Sequence, residues 1–145
     1  MITGELKNKI DSLWEIFWTG GLTNPLEVIE QITYLMFIHD LDDSDNMRGK
    51  ESAMLGLPYK SVFSTQVQLG DRMIDGTQLK WSVFHDFPAD RMYSVIQEWV
   101  FPFIKTLHSD KNSAYSKYMD DAIFKLPTPL VLSKVVDSLD EIYKM

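Results

Sequence analysis

Few side chains in this sequence are spaced for chemistry. Glu27 and Glu30 stand about one helical turn apart, the separation at which paired carboxylates can trade a proton. Glu27 has a competing explanation, because it lies three residues after Asn24 and so fits a helix-capping position. The run Asp40-Leu41-Asp42-Asp43-Ser44-Asp45-Asn46 offers oxygen at the first, third and fifth places of a calcium loop, with Glu51 at the twelfth. The sixth place is Asp45 where such a loop needs glycine for its sharp turn, so the run reads as a solvated helix end leading into a loop. His39, His85 and His108 are far apart, and none has a second histidine four residues on, so the spacing supports no metalloprotease-type pair. No serine sits in Gly-x-Ser-x-Gly, and neither Gly-x-Gly-x-x-Gly nor a Walker-type loop occurs. The expectation is a chain with no catalytic, cofactor-binding or metal-binding residue of its own.

Composition narrows the class. The chain has 145 residues, 45% hydrophobic and 12% aromatic, enough for one packed domain. Its 14 Lys and Arg against 21 Asp and Glu give a net charge of -7, which argues against autonomous nucleic-acid binding. Trp14, Trp18, Trp81 and Trp99 lack the interleaved cations of a base-stacking platform, and core packing explains them better. With no cysteine, disulfides and thiolate chemistry are excluded. The first residues do not form a secretory signal and no run is long enough to span a bilayer, so a cytoplasmic location is expected.

The elements that would position any site are helical. Leu6, Ile10, Leu13, Trp14 and Phe17 recur at three and four, predicting a helix over 4–18 with Thr3 as its N-cap and Gly20-Gly21 as its stop. Asn24-Pro25, with Glu27 completing a variant capping box, starts a second helix to about residue 40, apolar over more than half its circumference and so central. Residues 41–80 lose periodicity and gain glycines. They predict a long loop-rich insertion with a short helix near 51–55 and a hairpin around Gly70-Asp71. A third helix is expected from Pro88 to about Leu107, broken near Glu98 because Pro102 lacks the N–H that would bond there. A shorter segment over 112–122 carries Tyr115, Tyr118 and Met119. Thr128-Pro129 opens a last apolar helix. The fold class is mainly α, an irregular multi-helix bundle forming a single domain over 1–145.

Three ordered stretches resemble one family. The first is Ile10-Asp11-Ser12-Leu13-Trp14, then Asn24 through Ile38, then Leu41-Asp42-Asp43. The second is Leu79-Lys80-Trp81-Ser82-Val83-Phe84 followed by Glu98-Trp99-Val100-Phe101-Pro102-Phe103. The third is Tyr118 through Pro129, continuing to Val135-Val136-Asp137. Together they resemble the helical N-terminal domain of the modification subunit of type I restriction–modification systems. Relatives often carry basic residues before Leu-Asp-Asp, where this chain has His39-Asp40.

The resemblance implies a part of an adenine-N6 DNA methyltransferase that uses S-adenosylmethionine. The family's Asn/Asp-Pro-Pro-Tyr/Phe tetrapeptide and glycine-rich cofactor loop are absent here, and in the family both lie downstream in a Rossmann-like domain. The resemblance therefore implies a non-catalytic assembly and DNA-clamp domain. Its partners would be the specificity subunit, a second modification subunit and the restriction subunit, with DNA met through the whole complex and no membrane. The last helix reaches the final residue with no stop signal, so Leu130, Lys134, Val135, Leu139 and Ile142 are the candidate partner contacts. Two other readings stand beside this one: a stand-alone helical interaction or regulatory module, and a small enzyme built on its scattered carboxylates.

Overall fold

The computed structural model describes residues 4–59, 61, 63, 67–69, 71–107 and 123–144. Its elements are α1 (Gly4–Thr19), α2 (Pro25–Met54), a two-stranded antiparallel hairpin β1 (Val67–Leu69) and β2 (Arg72–Ile74), and a 3-10 turn (Gly76–Leu79). They are followed by α3 (Trp81–Phe84), α4 (Ala89–Val95), a π-helical segment (Ile96–Val100), α5 (Phe101–Leu107) and α6 (Pro129–Tyr143). The mainly helical expectation holds, and so does the hairpin, whose register pairs Val67 with Ile74 and Leu69 with Arg72. The N-cap expected at Thr3 and the segment 112–122 lie outside the described residues.

The caps form where the sequence places them. Asn24 accepts from the Leu26 N–H at 3.0 Å, and Thr128 Oγ1 accepts from the Val131 N–H at 3.2 Å, each followed by proline in the first turn. Glu27 does not serve the expected box; its carboxylate pairs with Lys125 Nζ at 3.0 Å. At the end of α1, Gly21 takes φ +102. The Leu22 N–H bonds Phe17 O and the Gly21 N–H bonds Trp18 O, a Schellman motif that satisfies two orphan carbonyls.

The second helix departs from expectation. It does not stop near residue 40 but continues through the acidic run to Met54, so the loop-rich insertion begins fourteen residues late. Gly56, at φ +68, ends it with the same motif as α1: Leu57 N–H to Ser52 O, Gly56 N–H to Ala53 O. The physical reason for the continuation is that two of the aspartates turn inward and are satisfied. Lys80 Nζ lies 3.2 Å from Asp42 and 3.5 Å from Asp45, and it donates to Asn46 Oδ1 at 2.7 Å. Tyr59 OH and Ser61 Oγ each donate to Asp45 at 2.7 Å, and the Ser82 N–H donates to Asp42 at 2.9 Å. Both carboxylates are buried, so this shell of donors is what makes their ionised form tolerable.

Proline acts as anticipated. Pro102 removes the donor for the carbonyl four residues back, at Glu98, and the chain answers with the π segment Ile96–Val100. The core lies where α6 packs against α1 and α4. Phe17, Leu35, Ile38, Phe84, Ile96 and Leu132 are among its fully buried side chains. Gln31, also buried, donates to Ile123 O at 2.8 Å and accepts from the Lys125 N–H at 3.1 Å, so one amide satisfies two backbone groups of the segment that leads into α6.

Removing one partner of the buried ion cluster leaves the other uncompensated. Asp45→Ala should lower unfolding free energy by about 3–5 kcal/mol, whereas the exposed Asp43→Ala should change it by no more than about 0.5 kcal/mol. Urea titration followed by tryptophan fluorescence measures both.

Candidate functional site

Where α2, α3 and α6 converge, the fold gathers residues that are distant in sequence. Asp140, on the last full turn of α6, accepts from the Trp81 indole N–H at 2.7 Å with Oδ1. Its Oδ2 lies 3.0 Å from His85 Nδ1, and because a carboxylate only accepts, the proton sits on Nδ1. His85 Nε2 faces Asp86 at 3.5 Å. The His39 ring, from α2, stacks on Tyr143 with centroids 3.6 Å apart and planes 5° from parallel, and it meets Trp81 edge-on. His39, His85, Asp86, Asp140 and Tyr143 border a cavity of about 530 Å3 that Asp137, Glu141 and Lys144 help to line.

An aspartate holding a histidine is the orienting half of a nucleophilic triad. The other half is missing from this cavity, whose lining carries no serine, threonine or cysteine. Tyr143 is the one hydroxyl there. Burial, with the nearby charge of Asp40 and the hydrogen bond it accepts from Tyr143 at 3.3 Å, pushes the phenol well above its ordinary range, so it stays protonated and weakly nucleophilic. Both oxygens of Asp140 are already engaged by α3. The arrangement acts as a bracket that pins the end of α6 to α3 and α2.

The residues singled out from sequence scatter. Val135 and Leu139 are buried in the core, and Ile142 packs half-buried against it. Leu130 and Lys134 are exposed and line a groove of about 420 Å3 between α1 and α6, opposite Ser12, Glu15 and Thr19. The run from Asp40 to Asn46 is regular helix, which removes the loop that the calcium spacing required. Among the described residues, no cluster of three or more histidines, aspartates or glutamates is placed to hold a metal ion. His39 and His85 come together in one cavity, while His108 lies outside the described residues. Asp140 was not anticipated. Its signal is its position four residues after Val136 and three before Tyr143, a carboxylate on the apolar stripe of α6.

Helices with buried faces, a proline-driven π segment and a structural histidine bracket define a helical domain whose polar clusters serve packing. Comparison with known families then identifies it: the family model for the HsdM N-terminal domain matches residues 6–139, and the chain belongs to that family, the N-terminal domain of the modification subunit of type I restriction–modification systems. No curated protein and no solved structure matches the chain. Among the described residues, no helix is long and apolar enough to cross a membrane.

The raised Tyr143 phenol carries a sign. The folded state holds that proton more tightly than the unfolded chain, so the contribution is complete below the ordinary value of 10.0 and is lost as pH rises above it. Tyr143→Phe should therefore lose stability less steeply than the parent between about pH 10 and 11.5 in urea titrations, with the two slopes equal near neutrality.

Proposed function

We propose that this domain is a non-catalytic assembly and DNA-clamp element of an S-adenosylmethionine-dependent adenine-N6 DNA methyltransferase. The observation that carries the proposal is membership of the HsdM N-terminal domain family over residues 6–139. Two features of the molecule support it. The His85–Asp140 pair, with Trp81 on the same carboxylate, holds the end of α6 against α3. Its net charge of -7 suits a domain that meets protein neighbours directly and DNA as part of a larger assembly. The partners under this reading are the specificity subunit, a second modification subunit and the restriction subunit, and the setting is cytoplasmic. S-adenosylmethionine is bound elsewhere in the modification subunit.

The test is a modification subunit with and without residues 4–143, reconstituted with its specificity subunit. The truncated subunit should keep S-adenosylmethionine affinity within about twofold by calorimetry, while the stability of its complex on target DNA falls at least about tenfold. Loss of cofactor binding on truncation, or micromolar cofactor binding by the isolated 145-residue chain, would place chemistry in this domain and overturn the proposal.

A further inference from the structure

The long helix α2 is apolar on two opposite sides. One side, with Val28, Leu35 and Ile38, faces the core. The other carries Leu26, Ile29, Met36, Met47 and Met54, and these are exposed by 71%, 50%, 40%, 58% and 87%. Their numbers are not scattered. With Thr33, Asp40, Asp43 and Lys50 they form an unbroken series at alternating steps of three and four along the whole helix. That is the a/d seam of a coiled coil, and at about 1.5 Å per residue it runs for about 42 Å. A single-domain surface has no need for such a repeat, since exposed apolar residues normally occur singly.

The seam also carries a charge code. Its two ends are mainly apolar, interrupted by Thr33 in one and Lys50 in the other, and its centre is the pair Asp40 and Asp43, both exposed. The fold fixes this centre: Tyr143 OH donates to Asp40, and the charges of both aspartates are felt at Tyr143. Pairing with a second copy that matches apolar end to apolar end brings four carboxylates together at the middle, whether the helices run parallel or antiparallel. Like charges at a buried seam cost several kcal/mol, so the stripe disfavours itself as a partner. A polar position inside an otherwise apolar seam selects partner and register.

We infer that the outer face of α2 docks a helix from another protein, one with apolar a/d residues at both ends and cationic residues at its centre opposite Asp40 and Asp43. This deepens the assembly reading and rests on it. The partner helix lies along α2 for about eight turns, with its central Arg or Lys neutralising the acidic pair.

The probe is a fluorescein-labelled synthetic helix of about 28 residues, leucine at the a/d positions of both ends and arginine at the two central ones, read by anisotropy against the 145-residue chain. A control peptide carries glutamate at the two central positions. The arginine peptide should bind at least about tenfold more tightly than the glutamate peptide. The double variant Met36→Asp, Met47→Asp should lose that binding by at least about tenfold with an unchanged thermal midpoint, because both side chains are exposed. Asp43→Arg should shrink or reverse the peptide preference. No binding, equal binding of the two peptides, or binding indifferent to Met36 and Met47 overturns the inference. So does sedimentation showing a dimer of the parent chain that the double variant abolishes, since the seam would then belong to a second copy. The double variant is also placed in the reconstituted modification complex. If it assembles as the parent does while the subunit lacking residues 4–143 does not, the assembly reading stands and this surface falls.

Discussion

Two buried carboxylates govern the architecture. Asp42 and Asp45 sit on the inner face of α2 and share one cation, Lys80, which arrives from the far side of the hairpin and the 3-10 turn. A buried aspartate without partners would be protonated or would drive the helix apart. Here Tyr59, Ser61, the Asn46 Nδ2 amide and the Ser82 N–H supply donors around the shared charge, so the irregular connection between α2 and α3 is tied down at both ends. The position of Lys80 in turn sets where Trp81 begins α3, and Trp81 is the residue that reaches Asp140. The ion cluster and the α6 bracket are therefore consecutive links of one chain of constraint.

That chain runs on into the cavity lined by His39, His85, Asp140 and Tyr143. Asp140, His39 and Tyr143 there each bond or stack across to another element. Asp140 spends its two oxygens on Trp81 and His85, and His39 lies flat against Tyr143. Side chains bonded across elements in this way rigidify the packing of α6 on α2 and α3.

Legibility in the sequence followed the range of the interaction. Asn24-Pro25 and Thr128-Pro129 announced two helix starts because capping involves only the next three residues. Pro102 announced the broken helix because a missing N–H is felt four residues back, where the π segment lies. The end of α2 was misplaced for the opposite reason. Four aspartates in six residues near a predicted helix end look like solvent-seeking charge, and only Lys80, thirty-five residues beyond Asp45, makes two of them core residues. Gly56 carried the true stop signal, yet it could be recognised only once the acidic run was known to be helical. For the site, His39 and His85 were visible as isolated residues, whereas the carboxylate that unites Trp81 and His85 was hidden in the apolar pattern of α6.

By itself the sequence determined the helical class, the caps, the proline break and the family, because each is written in neighbouring residues or in the order of whole blocks. Only the tertiary structure decided which charges are buried, which side of α2 faces outward and which of the last helix's apolar residues remain accessible. Leu130 and Lys134 face solvent while Val135 and Leu139 are enclosed, although all four belong to the same fifteen-residue helix. Periodicity tells which residues share a face, but burial depends on what the rest of the chain brings against that face, and in α2 the chain covers one of two apolar faces.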